Sequence, residues 1–162
     1  MRILKVFKTL TFISALVFCI WGLLRLERGI EFDRNCVQYI REATYATSIE
    51  TAKEKLEVAI FYAKEHNLTE GVVSIFFKQP KNDIGYWYKN MTDAYSMLEA
   101  INEDTPFSKQ ESTLMDIRET LTNSTIPDGI SIYPNNVLYF WVGLVSFILM
   151  CVFKLIVYII DH

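Results

Sequence analysis

The chain has 162 residues, of which 51% are hydrophobic, 14% aromatic and 22% charged, with a formal net charge of −3. With a pI near 5.4 and a mean hydropathy of +0.19, it lacks the basic field that a nucleic-acid-binding module needs, and it is more apolar than an ordinary soluble domain. Three cysteines cannot build a disulfide framework, and six scattered glycines make no phosphate-cradling loop.

The apolar residues concentrate near the two termini. The first run, Leu10 to Leu24, lies between Lys8 and Arg25. As a helix, the segment between those charges spans about 24 Å, a little short of a ~30 Å hydrocarbon core, and snorkelling Lys and Arg stems make up the difference. Residues 9–25 are therefore read as a first transmembrane helix after a short cytoplasmic N-terminus, 1–8. A cleaved signal peptide is disfavoured, because Cys19-Ile20-Trp21-Gly22-Leu23-Leu24 has no small-x-small cleavage pattern. Thr11, Ala15, Cys19 and Gly22 recur at helical spacing as a candidate small-residue packing face.

Residues 26–135 are expected to form an extracytoplasmic helical domain. The first helix continues outward with Val37, Tyr39, Ile40 and Ala43 on its apolar side. Thr47-Ser48-Ile49-Glu50 reads as a capping box. It opens a helix with Ile49, Ala52, Leu56, Ala59, Ile60 and Ala63 on one face, which stops at Asn67-Leu68-Thr69-Glu70-Gly71. Val72 to Phe77 reads as an extended connector. Asp83 is a plausible N-cap for a helix to Ile101 through Ile84, Trp87, Met91, Ala94 and Leu98. Thr105-Pro106, cap then Pro at the first helical position, opens another whose buried side is Phe107, Leu114, Ile117 and Leu121. Pro127-Asp128-Gly129 is a turn, and Tyr133-Pro134-Asn135-Asn136 leads into the second apolar run. The expected fold class is all-α, with two transmembrane helices flanking an antiparallel four-helix bundle.

The second run, Val137 to Ile160, is interrupted only by Lys154. It places a second transmembrane helix at 136–160 and a cytoplasmic C-terminus at 161–162. Gly143 and Ser146 offer a small-residue counterpart to the first helix. Residues 25–135 carry 12 Lys/Arg against 18 Asp/Glu, a formal −6, and the remainder carries 4 Lys/Arg against 1 acid, a formal +3. By Lys/Arg placement both termini are cytoplasmic, although Arg25, Arg28 and Arg34 weigh mildly the other way.

Asn67-Leu68-Thr69-Glu70-Gly71, Ile84-Gly85-Tyr86-Trp87-Tyr88 and Leu114-Met115-Asp116-Ile117-Arg118-Glu119-Thr120-Leu121, with the stretch from Pro127 to Pro134, resemble a group of small bacterial membrane proteins with two transmembrane helices and no assigned activity. The resemblance covers roughly residues 50–140 and implies a bacterial inner membrane and a periplasmic domain. It carries over no functional residue.

Catalytic patterns are sparse. His66 and His162 are the only histidines. His66 with Glu70 straddles the expected helix end, and no Glu-x-x-His or Cys pair offers a metal site, so no metal or cofactor is expected. Cys36 with His66 is the sole conceivable thiol–imidazole pair; a structural cysteine, or one linking two copies, is the competing reading. Glu103-Asp104 sits beside Pro106 in a loop, where capping and solvent roles are the default. Three Asn-x-Ser/Thr sequences, at Asn67, Asn90 and Asn123, are discounted in a bacterial chain. Tyr86, Trp87 and Tyr88 form the candidate partner surface, with the helical period through Trp87 favouring a core role for its indole. The expectation is a non-enzymatic, multi-pass protein of the bacterial inner membrane that contacts the bilayer and a protein partner or a second copy of itself. A self-assembling pore or lysis-type protein is the alternative, and a membrane-anchored hydrolase a weaker one.

Overall fold

The structure, a computed structural model, describes residues 2–73, 79–102, 104–124, 126–127, 129–130 and 137–161. Among these the chain is all helical: α1 (Arg2–Phe32), a π-helical turn (Asp33–Val37), α2 (Gln38–Thr44), α3 (Ile49–Glu65), a 3₁₀ turn (Pro80–Asn82), α4 (Ile84–Glu99), α5 (Phe107–Asn123) and α6 (Val137–Asp161). They fall into two compact units, Met1–Arg28 with Asn136–His162, and Gly29–Asn135.

In the Gly29–Asn135 unit, α2 packs on α3, α3 on α4, and α4 on α5, while α5 also meets α2. The apolar stripes expected on α3 and α4 are the ones buried. Ala52, Leu56, Ala59 and Ala63 are fully removed from solvent, as are Ile84 and Ala94, with Trp87, Met91 and Leu98 at 1% exposure. Phe32 and Cys36 join this core ahead of Ile40 and Ala43. The π turn at Asp33–Val37 accommodates one extra residue per turn relative to an α-helix, and the simple helical period missed it.

Local signals end these helices, in some cases one residue away from the sequence expectation. The cap of α3 is Ser48, whose hydroxyl accepts from the Thr51 amide at 3.2 Å. The capping box begun at Thr47 is therefore corrected, because it is Ser48 whose extended backbone turns its side chain onto the first turn. At the other end Asn67 takes the left-handed region, φ 56°. Its amide donates to the Lys64 carbonyl at 3.1 Å, and that of Leu68 donates to the Ala63 carbonyl at 2.7 Å. This is the paired bonding of a Schellman stop, completed by the buried Leu68.

Asp83 caps α4 as expected, its carboxylate accepting from the Tyr86 amide at 3.1 Å. At α5 the roles shift: Pro106 is the N-cap, and Thr105 instead bonds Asn102. Phe107 consequently opens the helix at 77% exposure, and Thr113, at 3%, is buried in the stripe with Ile117 and Leu121. The expected burial of Phe107 is corrected; it sits at the helix start, beyond the residues that meet the core.

The connector starting at Val72 has one pairing partner. Val72 and Asp83 form an isolated antiparallel bridge, with Val73 N–H donating to the Asn82 carbonyl and Ile84 N–H to that of Gly71, both at 2.9 Å. The rest of the expected connector, 74–77, lies outside the described residues, as do Asp128 of the Pro127–Gly129 turn and the 133–136 lead-in. Ile130 N–H reaches the Pro127 carbonyl at 3.3 Å, and Gly129 takes a positive φ of 77°, a conformation open to glycine without steric cost.

In the other unit, α1 up to Arg28 and α6 pack against each other through aromatic side chains. Ring centroids of Phe7 and Phe153 lie 6.0 Å apart, those of Phe18 and Phe147 5.4 Å, and those of Trp21 and Tyr139 5.7 Å. The order of these pairs makes the two helices antiparallel. Near their outer termini Lys8 meets Asp161 at 3.2 Å.

Candidate functional site

The Tyr86-Trp87-Tyr88 segment opens α4 directly after its Asp83 cap. Three consecutive helical positions project about 100° apart, so they cannot share one surface. Trp87 is 1% exposed and its ring lies 6.1 Å from that of Phe32. The candidate partner surface is therefore corrected to exclude Trp87, which belongs to the core. Tyr88 is half-buried against the same core. Only Tyr86, 59% exposed, is presented outward.

The candidate membrane packing face is likewise displaced. Thr11, Ala15 and Gly22 are half-buried, whereas Cys19 is exposed, and space around Gly22 is open enough that a Cβ would meet nothing within 4 Å. The seam on α1 runs instead through Phe7, Thr11, Ser14, Phe18 and Trp21, spaced alternately three and four residues apart. Cys19 is removed from the packing face because it points away from that seam. On α6, Gly143 and Ser146 are buried, the latter donating to the Gly143 carbonyl at 3.0 Å. Gly143 is needed for a specific reason. A Cβ there would lie 2.7 Å from Trp21 Cδ2 and closer still to Cε2 and Cζ2, so only glycine lets the indole lie flat against the α6 backbone.

That indole is part of a reciprocal clamp, which no local pattern announces. Trp21 Nε1–H donates to the Tyr139 carbonyl at 2.7 Å, and the Tyr139 hydroxyl donates to the Trp21 carbonyl at 2.6 Å. The rings stack at 29°. Each carries a guanidinium: Arg25 lies 5.7 Å from the Trp21 centroid, and Arg28 lies 5.9 Å from that of Tyr139. Farther along the same helix pair, Ile13, Val17, Leu138, Trp141, Val142, Val145 and Leu149 line a groove of about 440 Å³ in which Ser14 and Ser146 are the polar lining residues.

In the Gly29–Asn135 unit the chemistry-bearing side chains are dispersed. Cys36 is fully buried, its thiol reaching the Ala59 carbonyl at 3.7 Å, and burial pushes its pKa up to about 12. The thiol is therefore neutral and out of reach of a second chain, which favours the structural reading of Cys36 over the one in which it links two copies. His66 stacks on Tyr62 at 4.0 Å and shares a ring nitrogen with the Tyr62 carbonyl; its contacts and those of Cys36 are different. Among the described residues no three His, Cys, Asp or Glu side chains converge as metal ligands. Gln38 first, and then Lys55 at 3.3 Å, hold the exposed Glu42 carboxyl below its usual range. Burial, reinforced by Glu57 and Glu99, raises the Tyr95 phenol. These are ordinary consequences of helix packing and surface pairing. Glu103 and His162 lie outside the described residues, while Asp104 is exposed. Comparison with known protein families, characterised proteins and solved structures gives no match to this chain.

Proposed function

We propose that the chain is a non-enzymatic integral membrane protein. In this reading α1 and α6 cross a bacterial inner membrane with both termini cytoplasmic, and the four packed helical segments α2 to α5 form an extracytoplasmic bundle that binds a protein partner or modulates a membrane complex. The observation that carries the membrane reading is the outer surface of the helix pair. Phe12, Leu16, Ile20 and Leu23 on α1 are 49–69% exposed, and Leu138, Val142, Leu155 and Ile159 on α6 are 50–77% exposed. An apolar surface of that kind on both packed helices calls for hydrocarbon rather than water as its neighbour. Both helices are also long and apolar enough to cross.

The partner reading is supported by the large side chains that the bundle leaves outward. Tyr45, Phe61, Tyr86 and Phe107 are each at least 59% exposed, and aromatic residues supply much of the binding energy where proteins meet. Alkaline carbonate extraction, followed by cytoplasm-only reporter fusions at residue 162 and near Asp128, tests this function's foundation. Retention in the membrane pellet with activity at 162 and silence near 128 is expected. Release by carbonate overturns the spanning helices, and the reversed reporter pattern overturns the orientation. Crosslinking in native membranes then tests the partner: a specific adduct at Tyr86, lost on Tyr86→Ala, is expected, and its absence at all four outward aromatics removes the binding role.

A further inference from the structure

The Trp21–Tyr139 clamp has a feature that helix packing alone does not require, namely two arginines gathered over its rings. The geometry points to a binding site for the headgroup phosphate of an anionic phospholipid, formed by Arg25 and Arg28 and held in place by Trp21 and Tyr139. The inference rests on the proposal that α1 and α6 cross a bilayer.

Four observations carry it. First, the two rings are fixed rather than mobile, since each side chain is bonded to the other residue's backbone carbonyl at 2.6–2.7 Å. Gly143 makes room for the indole against the neighbouring helix. Second, Arg25 and Arg28 are three residues apart, which puts them on one side of α1. Both guanidinium carbons lie within 6 Å of a clamp ring. A guanidinium packed on an aromatic face spends none of its N–H groups on that contact, and the planar fork suits the paired oxygens of a phosphate. Third, Arg28 is exposed, and among the described residues no carboxylate lies within ion-pair distance of it, although Glu31 is only one turn away. Fourth, the apolar run ends at Leu24. A helical rise of about 1.5 Å per residue places Arg25 and Arg28 within roughly 6 Å of the hydrocarbon edge, at headgroup depth. Aromatic rings at that level are themselves characteristic of the interface. A zwitterionic lipid offers the same phosphate but brings its own cation, so two adjacent guanidinium groups select a headgroup with net negative charge.

The test uses the full-length chain, purified from membranes and presented with equal amounts of phosphatidylglycerol and phosphatidylcholine. Retained lipid is counted by native mass spectrometry. Phosphatidylglycerol is expected to be retained preferentially, with each of Arg25→Gln and Arg28→Gln reducing that preference about fivefold and the double variant abolishing it. Lys8→Gln, at the far end of the same helix pair, should leave the preference intact. Millimolar inorganic phosphate should fail to displace the lipid; equal competition would assign the site to free phosphate and overturn the lipid proposal. An unchanged preference in the double variant, with melting as in the parent protein, would also overturn it. Carbonate extraction separates the two levels of failure. A chain that stays in the pellet without lipid preference refutes this site alone, whereas a chain released to the soluble fraction refutes the spanning helices and the site together.

Discussion

Trp87 offers the sharpest test of how the Gly29–Asn135 unit is held together. The indole is 1% exposed, sits on the first turn of α4 and meets Phe32 from the first helical run at 6.1 Å. A buried aromatic removes roughly 150–250 Å² from water. At about 25 cal/mol per Å² this amounts to ~4–6 kcal/mol, an upper bound because the unfolded chain is itself partly collapsed. Trp87→Ala loses most of that and leaves a cavity whose walls relax only in part, so the expected destabilisation is ~3–5 kcal/mol. Against a typical domain stability of about 5–15 kcal/mol that is a large fraction. Denaturant titration of the full-length protein in mild detergent, followed by far-UV circular dichroism, reads it directly. Tyr86→Ala, one residue away and 59% exposed, is the internal control, with an expected change within about 0.5 kcal/mol. If Trp87→Ala cost less than about 1 kcal/mol, or if the two substitutions cost the same, the core assignment of α4 would be wrong.

Four further outcomes follow from the packing. With Cys19 and Cys151 replaced by Ala, Cys36 should resist a soluble maleimide in native protein and react fully in denaturant; prompt native labelling would contradict its burial. Because burial raises the folded thiol from 9.0 to about 12, the unfolded state loses its proton first, and stability should fall by roughly 1 kcal/mol per pH unit from 9 towards 12. Cys36→Ala should remove that slope, and identical alkaline profiles for the two proteins would rule the thiol out as its source. Ser48→Ala should cost about 1 kcal/mol and Thr47→Ala much less, since only Ser48 bonds the α3 amide; equal losses in thermal melts would restore the Thr47 cap. Gly143→Ala should destabilise the α1–α6 pair by about 1–3 kcal/mol, with Trp21→Phe in the same background recovering part of it, and a Gly143→Ala protein that melts like the parent would show that the indole is not held against α6.

Much of the Gly29–Asn135 unit was legible because its helices are amphipathic. On α3 and α4 apolar residues recur every three or four positions against a charged background, so the buried stripe from Ala52 to Ala63 and that from Ile84 to Leu98 could be read directly. Boundaries were less legible where neighbouring residues compete for one role. Thr47 and Ser48 are both competent caps, and Thr105 and Pro106 both suit a helix start; only the backbone decides between them. Phe107 falls on the period of Leu114, Ile117 and Leu121, but its place at the helix start leaves it exposed. In α1 the difficulty is of another kind. The helix is apolar on every side, which erases the contrast that marks a buried face, so the small residues Thr11, Ala15, Cys19 and Gly22 were the only pattern left to follow. The true seam is rotated by about one residue and is built from aromatics whose partners lie more than a hundred positions away. Nothing in the local sequence around Trp21 or Tyr139 says that each would bond the other's backbone.

The small bridge between Val72 and Asp83 has a consequence for engineering. Two backbone hydrogen bonds, Val73 to Asn82 and Ile84 to Gly71, pinch the chain at a neck and hand it directly to the cap of α4. An engineered Val73→Pro or Ile84→Pro removes one of those two N–H donors, so the bridge is the place where a single backbone substitution would release the start of α4 from the chain that leaves α3.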